Sequence, residues 1–298
     1  MSRPVAVLGP GAVGSSLAVR LCLAGVKTLC VARPETAGVV ALAGLSVETR
    51  DDGVLTARPE VVERLERPVA LLLITVKAPM LEEALERIDP AAVAEGVALP
   101  LLNGLEHVEV VRRRLGARVA AGTVSHFQAY RVGRVQVIET TPPPLVTMAS
   151  DGDLTRQELE AAAELLRRAR LEVRVGQNER RVLWHKVARI APLAAATAIT
   201  GRPVGELRAD PVWRPRLQAA IAEACQVAEA DGVSLRPNGQ WQIVEEMPVT
   251  LTPSAARDFS AGRRTELDAI LGSVLRAADR LGVPCPVLGE LAAATGLR

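Results

Sequence analysis

The first half of the chain alternates short apolar runs with segments of helical periodicity. The run Val69–Val76 is apolar apart from one threonine, as in a strand that is buried on both faces of a parallel sheet. A Gly-rich turn follows Val5–Leu8, and beyond it Val13, Leu17 and Leu21 share one helical face. This alternation predicts a doubly wound α/β sheet. Further strands are predicted at Thr28–Ala32, Val97–Leu102, Val119–Thr123, Gly133–Glu139 and Leu171–Val175, and crossover helices at Met80–Ile88 and His107–Leu115.

The second half of the chain predicts helices. Arg181–Ile199 is one long helical run, and the next is predicted to start with Asp210 as its N-cap and to stop at Gly232. The change of pattern predicts a Rossmann-like α/β domain over residues 1–176 and an all-α domain over residues 177–298. The last long helix is predicted from five apolar residues on one face: Leu267, Ile270, Leu271, Val274 and Leu275.

Composition excludes several classes of protein. The 298 residues are enough for two domains, and with 2% aromatic residues the cores must be built from Ala, Leu and Val. A net charge of +2 without charged blocks gives no argument for a nucleic-acid or membrane partner. The four scattered cysteines fit a reducing compartment and argue against a zinc site. We therefore expect a cytoplasmic protein that acts on a small molecule; a homodimer is compatible with the sequence, which specifies no oligomeric state.

A glycine motif follows the first predicted strand. Gly9, Gly11 and Gly14 stand in G-x-G-x-x-G register, with Ala12 and Val13 between the last two. The motif alone is weak, but here it follows a strand and opens a helix. Such glycines allow a tight turn and close approach of a pyrophosphate, which binds to N–H groups at the helix N-terminus. We predict that these five residues bind a dinucleotide; the alternative is a plain strand-to-helix turn.

The end of the second predicted strand distinguishes between the two nicotinamide cofactors. An NAD-binding domain usually places Asp or Glu there, where the carboxylate binds the ribose 2′-hydroxyl. This chain has Arg33, which suits a 2′-phosphate, although the nearby Glu35 keeps NAD as an alternative. The sequence therefore predicts NADP (NADPH).

Two polar residues end buried strands. Lys77 follows the run Val69–Val76, and Asn103 follows Val97–Leu102. Ligands of open α/β sheets bind beyond the carboxyl ends of the strands, so both side chains are predicted to face the dinucleotide site. The alternatives are a solvated strand end for Lys77 and an ordinary turn for Asn103 and the glycine after it.

Lysine is rare in this chain. Of the 36 Lys and Arg residues, only Lys27, Lys77 and Lys186 are lysines. An ammonium can give up its proton, whereas a guanidinium stays charged. Lys186, early in the first helix of the second domain, is therefore a candidate proton donor. Glu266 lies at the edge of the apolar stripe of the last long helix and is expected to be half-buried.

Ser254 and Asp258 lie upstream of Glu266, one helical turn apart. Ordinary roles compete with functional ones here: an N-cap for Ser254, and a surface ion pair between Arg263 and Glu266. Spacing alone leaves both interpretations open.

Taken in order, these residues resemble the ketopantoate reductase (2-dehydropantoate 2-reductase) family over nearly the whole chain. No single segment is decisive, but their order and spacing together are fairly specific. The matching segments are GPGAVG at the glycine motif, Arg33 at the end of the second strand, TVKA around Lys77, LLNG around Asn103, LWHK around Lys186, GEL at Gly205–Leu207 and RRTELDAI around Glu266.

The resemblance implies a reaction and a set of roles. In that family the helical domain closes over the Rossmann domain, and NADPH reduces ketopantoate to pantoate, a step of pantothenate biosynthesis. The residue matching Lys186 is the general acid, and the residue matching Glu266 binds the substrate hydroxyl and helps to hold the lysine. Substrate contacts are further implied for Lys77, Asn103, Ser254 and Asp258, and contacts with the nicotinamide end of the cofactor for Lys77 and Asn103.

The chain departs from the family pattern after the catalytic lysine. The family usually carries Asn one and two turns later, where this chain has Ile190 and Ala194, and Val204 replaces a further Asn before GEL. An unpaired buried polar group on a bound substrate costs about 1–3 kcal/mol. Arg189, three residues after Lys186, is a candidate for binding the substrate carboxylate instead.

The sequence is therefore compatible with three functions. The leading one is an NADP-dependent oxidoreductase acting on CH–OH groups, which reduces ketopantoate, a 2-oxo acid, to pantoate. A related reductase of another, less polar 2-oxo acid or of an imine is favoured modestly by the missing asparagines. A catalytically silent NADP-binding sensor is the third, and the retention of Lys186 with Glu266 argues against it.

Overall fold

The computed structural model describes residues 3–116 and 118–297. The chain divides into two compact units, Met1–Leu102 with His107–Val182, and Asn103–Glu106 with Leu183–Arg298. The change after Val182 lies beyond the predicted boundary at 176, because the carboxylate of Glu179 bonds within the first unit, 2.9 Å from Arg112 Nη2. The short segment Asn103–Glu106, which belongs to the second unit, was not predicted to leave the first domain.

The first unit contains all the strands that the described residues form. They are β1 (Val5–Leu8), β2 (Thr28–Val31), β3 (Leu45–Glu48), β4 (Val54–Ala57), β5 (Glu60–Val62), β6 (Leu71–Ile74), β7 (Val97–Pro100), β8 (Ala121–Ser125), β9 (Ala129–Val132), β10 (Gln136–Glu139), β11 (Leu145–Ala149) and β12 (Glu172–Val175). Its helices are α1 (Ala12–Leu23), α2 (Pro34–Ala43), α3 (Leu81–Leu85), α4 (His107–Leu115) and α5 (Arg156–Arg168).

A five-stranded parallel sheet in the order β5–β2–β1–β6–β7 confirms the predicted Rossmann-like fold. Every residue of β1, β2, β6 and β7 is buried, which explains their continuously apolar sequences. Leu8 pairs with Val31 and with Ile74, and Ile74 pairs with Pro100. The carboxyl ends of these four strands are therefore aligned, and the turns that follow them leave from one edge of the sheet.

Two smaller sheets complete the first unit, in the orders β4–β3–β10–β9 and β12–β11–β8. The sequence predicts β8, β10 and β12 as strands, but they lie outside the parallel sheet. The reason is their partners, because β8 pairs antiparallel with β11, β12 pairs parallel with β11, and β10 pairs antiparallel with β9. The predicted helix Met80–Ile88 is also shorter, since only α3 forms after a 3-10 turn at Ala78–Met80.

The regular elements of the second unit are all helices among its described residues, as predicted. Its elements are α6 (Glu179–Thr200, which begins in the first unit), α7 (Val204–Ala209), α8 (Trp213–Ala230), α9 (Pro237–Glu246), α10 (Ser254–Ser260), a π-helical turn at Asp268–Gly272, α11 (Ser273–Leu281) and α12 (Pro286–Thr295). No helix among the described residues is both long and apolar enough to cross a bilayer.

Two helix boundaries differ from the prediction. Helix α8 begins at Trp213, later than expected, because Asp210 Oδ1 accepts from the N–H groups of Val212 at 2.9 Å and Trp213 at 3.0 Å and holds a turn before the helix. The last long helix is interrupted by the π-helical turn, although it ends at Gly282 in the left-handed conformation, as expected.

A buried ion pair joins α1 to β10 within the first unit. Glu139 Oε2 accepts from Arg20 Nη2 at 2.5 Å, and Glu139 Oε1 accepts from Ser16 Oγ at 2.5 Å. The Glu139 side chain is completely buried, and that of Arg20 is 6% exposed. Removing one partner of such a pair leaves a buried, uncompensated charge.

We predict that Glu139→Ala lowers the free energy of unfolding by about 3–5 kcal/mol, because it leaves the Arg20 guanidinium buried without a carboxylate partner. Replacing both residues by Met should cost less, since no charge is then left behind. The matched control is Glu60→Ala, which breaks an exposed pair with Arg67 and should cost no more than about 1 kcal/mol. Chemical denaturation of the full chain measures all three, and equal losses for Glu139→Ala and Glu60→Ala would contradict the prediction.

Candidate active site

The protein's own packing requires two of the three motif glycines. Gly9 has a φ of +86°, and a Cβ there would lie 2.4 Å from Val76 Cγ1. A Cβ on Gly14 would lie 2.4 Å from both Gly9 O and Thr75 Oγ1. Thr75 Oγ1 also donates to Gly9 O at 2.8 Å, so the end of β6 holds this turn in place.

Gly11 differs from its neighbours because nothing in the described chain requires a glycine there. Its φ of −79° and ψ of −155° suit any residue, and the nearest atom to a Cβ would be Gly9 O at 4.0 Å. It is also the N-cap of α1, which has no side-chain cap and no acidic residue in its first turn.

The beginning of α1 fits the pyrophosphate of a dinucleotide. Its first intrahelical bond runs from Ser15 N to Gly11 O at 2.9 Å, so the preceding N–H groups, of Ala12, Val13 and Gly14, have no partner in the helix. A helix N-terminus of this kind attracts anions. The space beside Gly11, which a Cβ would fill, allows a phosphate to approach these donors closely.

Arg33 and Glu35 lie just beyond β2, and both are exposed. Arg33 is the N-cap of α2, and its guanidinium makes no hydrogen bond or ion pair with any residue that the structure describes. Its charge is therefore available to a phosphate. Glu35 occupies the first turn of the same helix, where the helix dipole already favours a carboxylate.

Lys77 and Asn103 follow the aligned ends of β6 and β7. Lys77 is exposed and is the N-cap of the 3-10 turn Ala78–Met80, whereas Asn103 is half-buried. The next residue, Gly104, has a φ of +106°, and a Cβ there would lie 2.0 Å from Ala269 O in the π-helical turn. Gly104 is therefore fixed by a close backbone approach as well as by its turn conformation.

The loop Asn103–Glu106 is held on the second unit by an ion cluster. Arg276 on α11 donates from Nε to Glu106 Oε1 at 2.8 Å and from Nη2 to Glu106 Oε2 at 2.8 Å. The same guanidinium donates from Nη1 to Asp268 Oδ1 at 2.8 Å. These contacts and the Gly104 approach define the position of Asn103 relative to the π-helical turn.

Lys186 and Glu266 lie close enough in the second unit for their charges to interact. Burial is the largest cause that lowers the pKa of Lys186, to about 8, and the positive charge of Arg189 adds to it. The carboxylate of Glu266 acts in the opposite direction. Glu266 is 5% exposed, more deeply buried than the sequence predicted, because the segment that carries it packs into the helical core.

The ordinary roles considered for Ser254 and Glu266 are both wrong. Helix α10 has Pro253 as its N-cap, and Ser254 is an exposed first residue without a capping bond. Arg263 pairs with Asp258 instead of Glu266, with 3.0 Å between Arg263 Nε and Asp258 Oδ1. Asp258 is 3% exposed, so this pair holds the loop that leads to Glu266.

Sequence reasoning missed two residues of this region. Thr75 holds the Gly9 turn, and it could have been found as the polar residue in an otherwise apolar strand. Gln240 on α9 accepts a hydrogen bond from Arg189, and no local pattern marks it. At the positions where the family pattern has Asn, Ile190 is half-buried and Ala194 is 1% exposed within the apolar core.

Comparison with known proteins gives the same assignment for both units. Residues 5–150 match the family described as Ketopantoate reductase PanE/ApbA, and residues 178–297 match the family described as Ketopantoate reductase PanE/ApbA C terminal. A 2-dehydropantoate 2-reductase of Halobacterium salinarum is 27% identical over an alignment of 313 positions, which covers 97% of this chain and 96% of that protein.

Solved structures share the fold over nearly their whole length. The crystal structure of a PanE/ApbA family ketopantoate reductase from Ralstonia eutropha JMP134 has a TM-score of 0.86 and 27% identity, and the match covers 98% of this chain and 97% of that one. A ternary structure of D-mandelate dehydrogenase with NADH and anilino(oxo)acetate has a TM-score of 0.89 at 21% identity, with 98% and 97% covered. At that identity the second likeness shows the fold alone.

The two family matches take in the glycine turn of the first unit and Lys186 with Glu266 in the second. The resemblance that the sequence motifs indicated is confirmed. The chain therefore belongs to the ketopantoate reductase family, and it is a nicotinamide-dependent oxidoreductase.

Proposed function

We propose that this protein reduces a 2-oxo acid to the 2-hydroxy acid with NADPH, and that the leading substrate is ketopantoate, which yields pantoate. The observation that carries the proposal is Lys186, a half-buried lysine whose pKa is lowered to about 8 and which is accompanied by the carboxylate of Glu266. The glycine turn and Arg33 support NADPH as the cofactor.

Lys186 is the proton donor in this proposal, and Glu266 keeps it protonated. When bound, the nicotinamide supplies a hydride to the carbonyl carbon of the substrate. The carbonyl oxygen then needs a proton, which Lys186 Nζ donates. A pKa of about 8 leaves the ammonium protonated at neutral pH but makes it a stronger acid than an ordinary lysine. Without the opposing charge of Glu266 the pKa would fall further, and the ammonium would keep its proton less readily.

A less polar 2-oxo acid is the second candidate substrate. Ile190 follows Lys186 by one helical turn and is half-buried, and Ala194 lies in the apolar core. Neither side chain can donate a hydrogen bond to the hydroxyl of ketopantoate or accept one from it.

A panel that contains ketopantoate and 2-oxoisovalerate, its analogue without the hydroxymethyl group, tests the proposed function through the loss of NADPH absorbance. Absence of turnover with every 2-oxo acid would contradict the proposed function and favour a reductase of imines or a silent binding protein.

We predict that Gly11→Ala raises the Kd of NADPH at least about tenfold, because the Cβ fills the space proposed for the pyrophosphate. Its melting temperature should stay at the wild-type value, since the described chain leaves room for a Cβ there. Gly14→Ala is the contrasting variant and should lower stability by about 1–3 kcal/mol through overpacking. Fluorescence titration and thermal unfolding measure both properties. A Gly11→Ala protein that binds NADPH normally would place the pyrophosphate elsewhere.

We predict that the wild type prefers NADPH to NADH and that Arg33→Ala reduces the preference. A charged hydrogen bond to the 2′-phosphate contributes about 1.5–3 kcal/mol, so the KM of NADPH should rise at least about tenfold while that of NADH changes little. Arg134→Ala, which removes another exposed guanidinium of the first unit, is the control. Equal use of the two cofactors by the wild type would refute the role of Arg33.

We predict that Lys186→Ala lowers kcat at least about 100-fold while NADPH still binds. Lys186→Arg should fail almost as badly, because guanidinium retains its proton. In the wild type, kcat/KM should fall as the pH rises through about 8, since the deprotonated lysine cannot protonate the substrate. Lys27→Arg, at an exposed position, is the control and should leave kcat unchanged. A Lys186→Arg enzyme with normal kcat, or activity that increases through pH 8, would exclude Lys186 as the acid.

A further inference from the structure

Arg189 on α6 is a buried cation whose recorded acceptors are all neutral. The residue is 5% exposed. Its Nη1 donates to Gln240 Oε1 at 3.1 Å and to the main-chain carbonyl of His185. Across the described chain, no carboxylate lies within ion-pair distance of this guanidinium. Buried charges in proteins are normally paired, so this arrangement calls for an anion from outside the chain.

The unused part of the guanidinium has a defined shape. Both recorded hydrogen bonds use Nη1, while Nε is buried without a partner and Nη2 donates to no residue described in the structure. Nε and Nη2 form the side of the guanidinium that binds both oxygens of a carboxylate in parallel. The two neutral acceptors on Nη1 therefore orient the group without neutralising it.

Arg189 is also close to the proposed proton donor. It lies one helical turn after Lys186 on the same face of α6, and its charge contributes to the lowered pKa of that lysine. Among the residues that the structure describes, Glu266 supplies the carboxylate charge that acts on Lys186, and burial alone acts on Arg189. Two cations beside one carboxylate leave an excess positive charge, which suits an anionic ligand.

We infer that the Nε–Nη2 side of Arg189 binds the carboxylate of the substrate and that Gln240 positions the guanidinium for it. The inference rests on the proposed function, and it names the residue that selects 2-oxo acids over neutral carbonyl compounds. The apolar Ile190 on the same face then leaves the rest of the substrate with fewer polar contacts. Arg189 is thus a specificity-determining residue, and Gln240 is a positioning residue.

Oxamate and oxamide test the inference apart from turnover. Oxamate has the carboxylate of a 2-oxo acid, oxamide is its neutral analogue, and neither is a substrate for hydride transfer here. Calorimetric titration of the NADPH-loaded protein compares the wild type with Arg189→Met, Arg189→Lys and Gln240→Glu. Arg181→Met is the matched control, because Arg181 is an exposed arginine on the same helix.

Arg189→Met should weaken oxamate binding at least about tenfold and leave oxamide binding unchanged, because the charged bidentate contact is lost. Arg189→Lys should recover only part of the affinity, since an ammonium lacks the planar fork. Gln240→Glu retains Arg189 but supplies an internal carboxylate that competes with oxamate, so it should also weaken oxamate binding. It serves as the second variant if Arg189→Met does not fold. Arg181→Met should bind like the wild type.

The outcomes separate this inference from the proposed function. Equal oxamate affinity in the wild type, Arg189→Met and Gln240→Glu would overturn the role of Arg189 even if the enzyme reduces 2-oxo acids. Arg189-dependent oxamate binding by a protein that reduces no 2-oxo acid would support the carboxylate site and contradict the proposed reaction. An equal loss of oxamate and oxamide binding in Arg189→Met would mean that the residue only maintains the structure, which also overturns the inference.

Discussion

Positive charge buried on α6 is the constraint on which the candidate site of the helical unit depends. Removing a cation from water is unfavourable, and the protein can respond by lowering its pKa or by providing an anion. Lys186 shows both responses, because burial lowers its pKa to about 8 while Glu266 limits the fall. For Arg189 a lowered pKa is not enough, because burial lowers its pKa only to about 10 and the guanidinium stays charged at neutral pH. Arg189 therefore needs an anion. Its recorded partners nevertheless are neutral, which is why a substrate carboxylate completes the site in our proposal.

The packing of α6 makes this arrangement possible. The indole of Trp184 is buried and donates to Asp231 Oδ2 at 2.8 Å, which fixes the helix against the end of α8 just before Lys186. After Arg189 the buried positions of α6 are mostly alanines, and Ala191 and Ala194 through Ala196 are almost fully enclosed. Small side chains let neighbouring helices approach closely, so after Trp184 the helix packs through alanines and not through further large aromatic residues.

The features that the sequence predicted are those set by local pattern. Continuous apolar runs identify β1, β6 and β7, and the glycine motif identifies the turn before α1, because burial and backbone geometry there depend on neighbouring residues. The features it missed depend on distant partners. Nothing near β8 or β10 indicates that each pairs antiparallel in a separate sheet, and nothing near Asn103 indicates that its loop is held by Arg276. The burial of Glu266 was underestimated for the same reason, since the edge of an apolar stripe does not reveal what packs over it.

If Arg189 binds the substrate carboxylate, its proximity to Lys186 couples substrate binding to proton donation. In the free protein the charge of Arg189 helps to lower the pKa of the lysine. A carboxylate bound to Arg189 offsets that charge, so the repulsion weakens and the pKa of Lys186 rises when the substrate arrives. Linkage makes the effect reciprocal, because the protonated lysine must then favour binding of the anionic substrate by the same factor. In our proposal the substrate is therefore bound best by the form of the enzyme that can protonate it, and a product that keeps its carboxylate leaves most readily after the lysine has given up its proton.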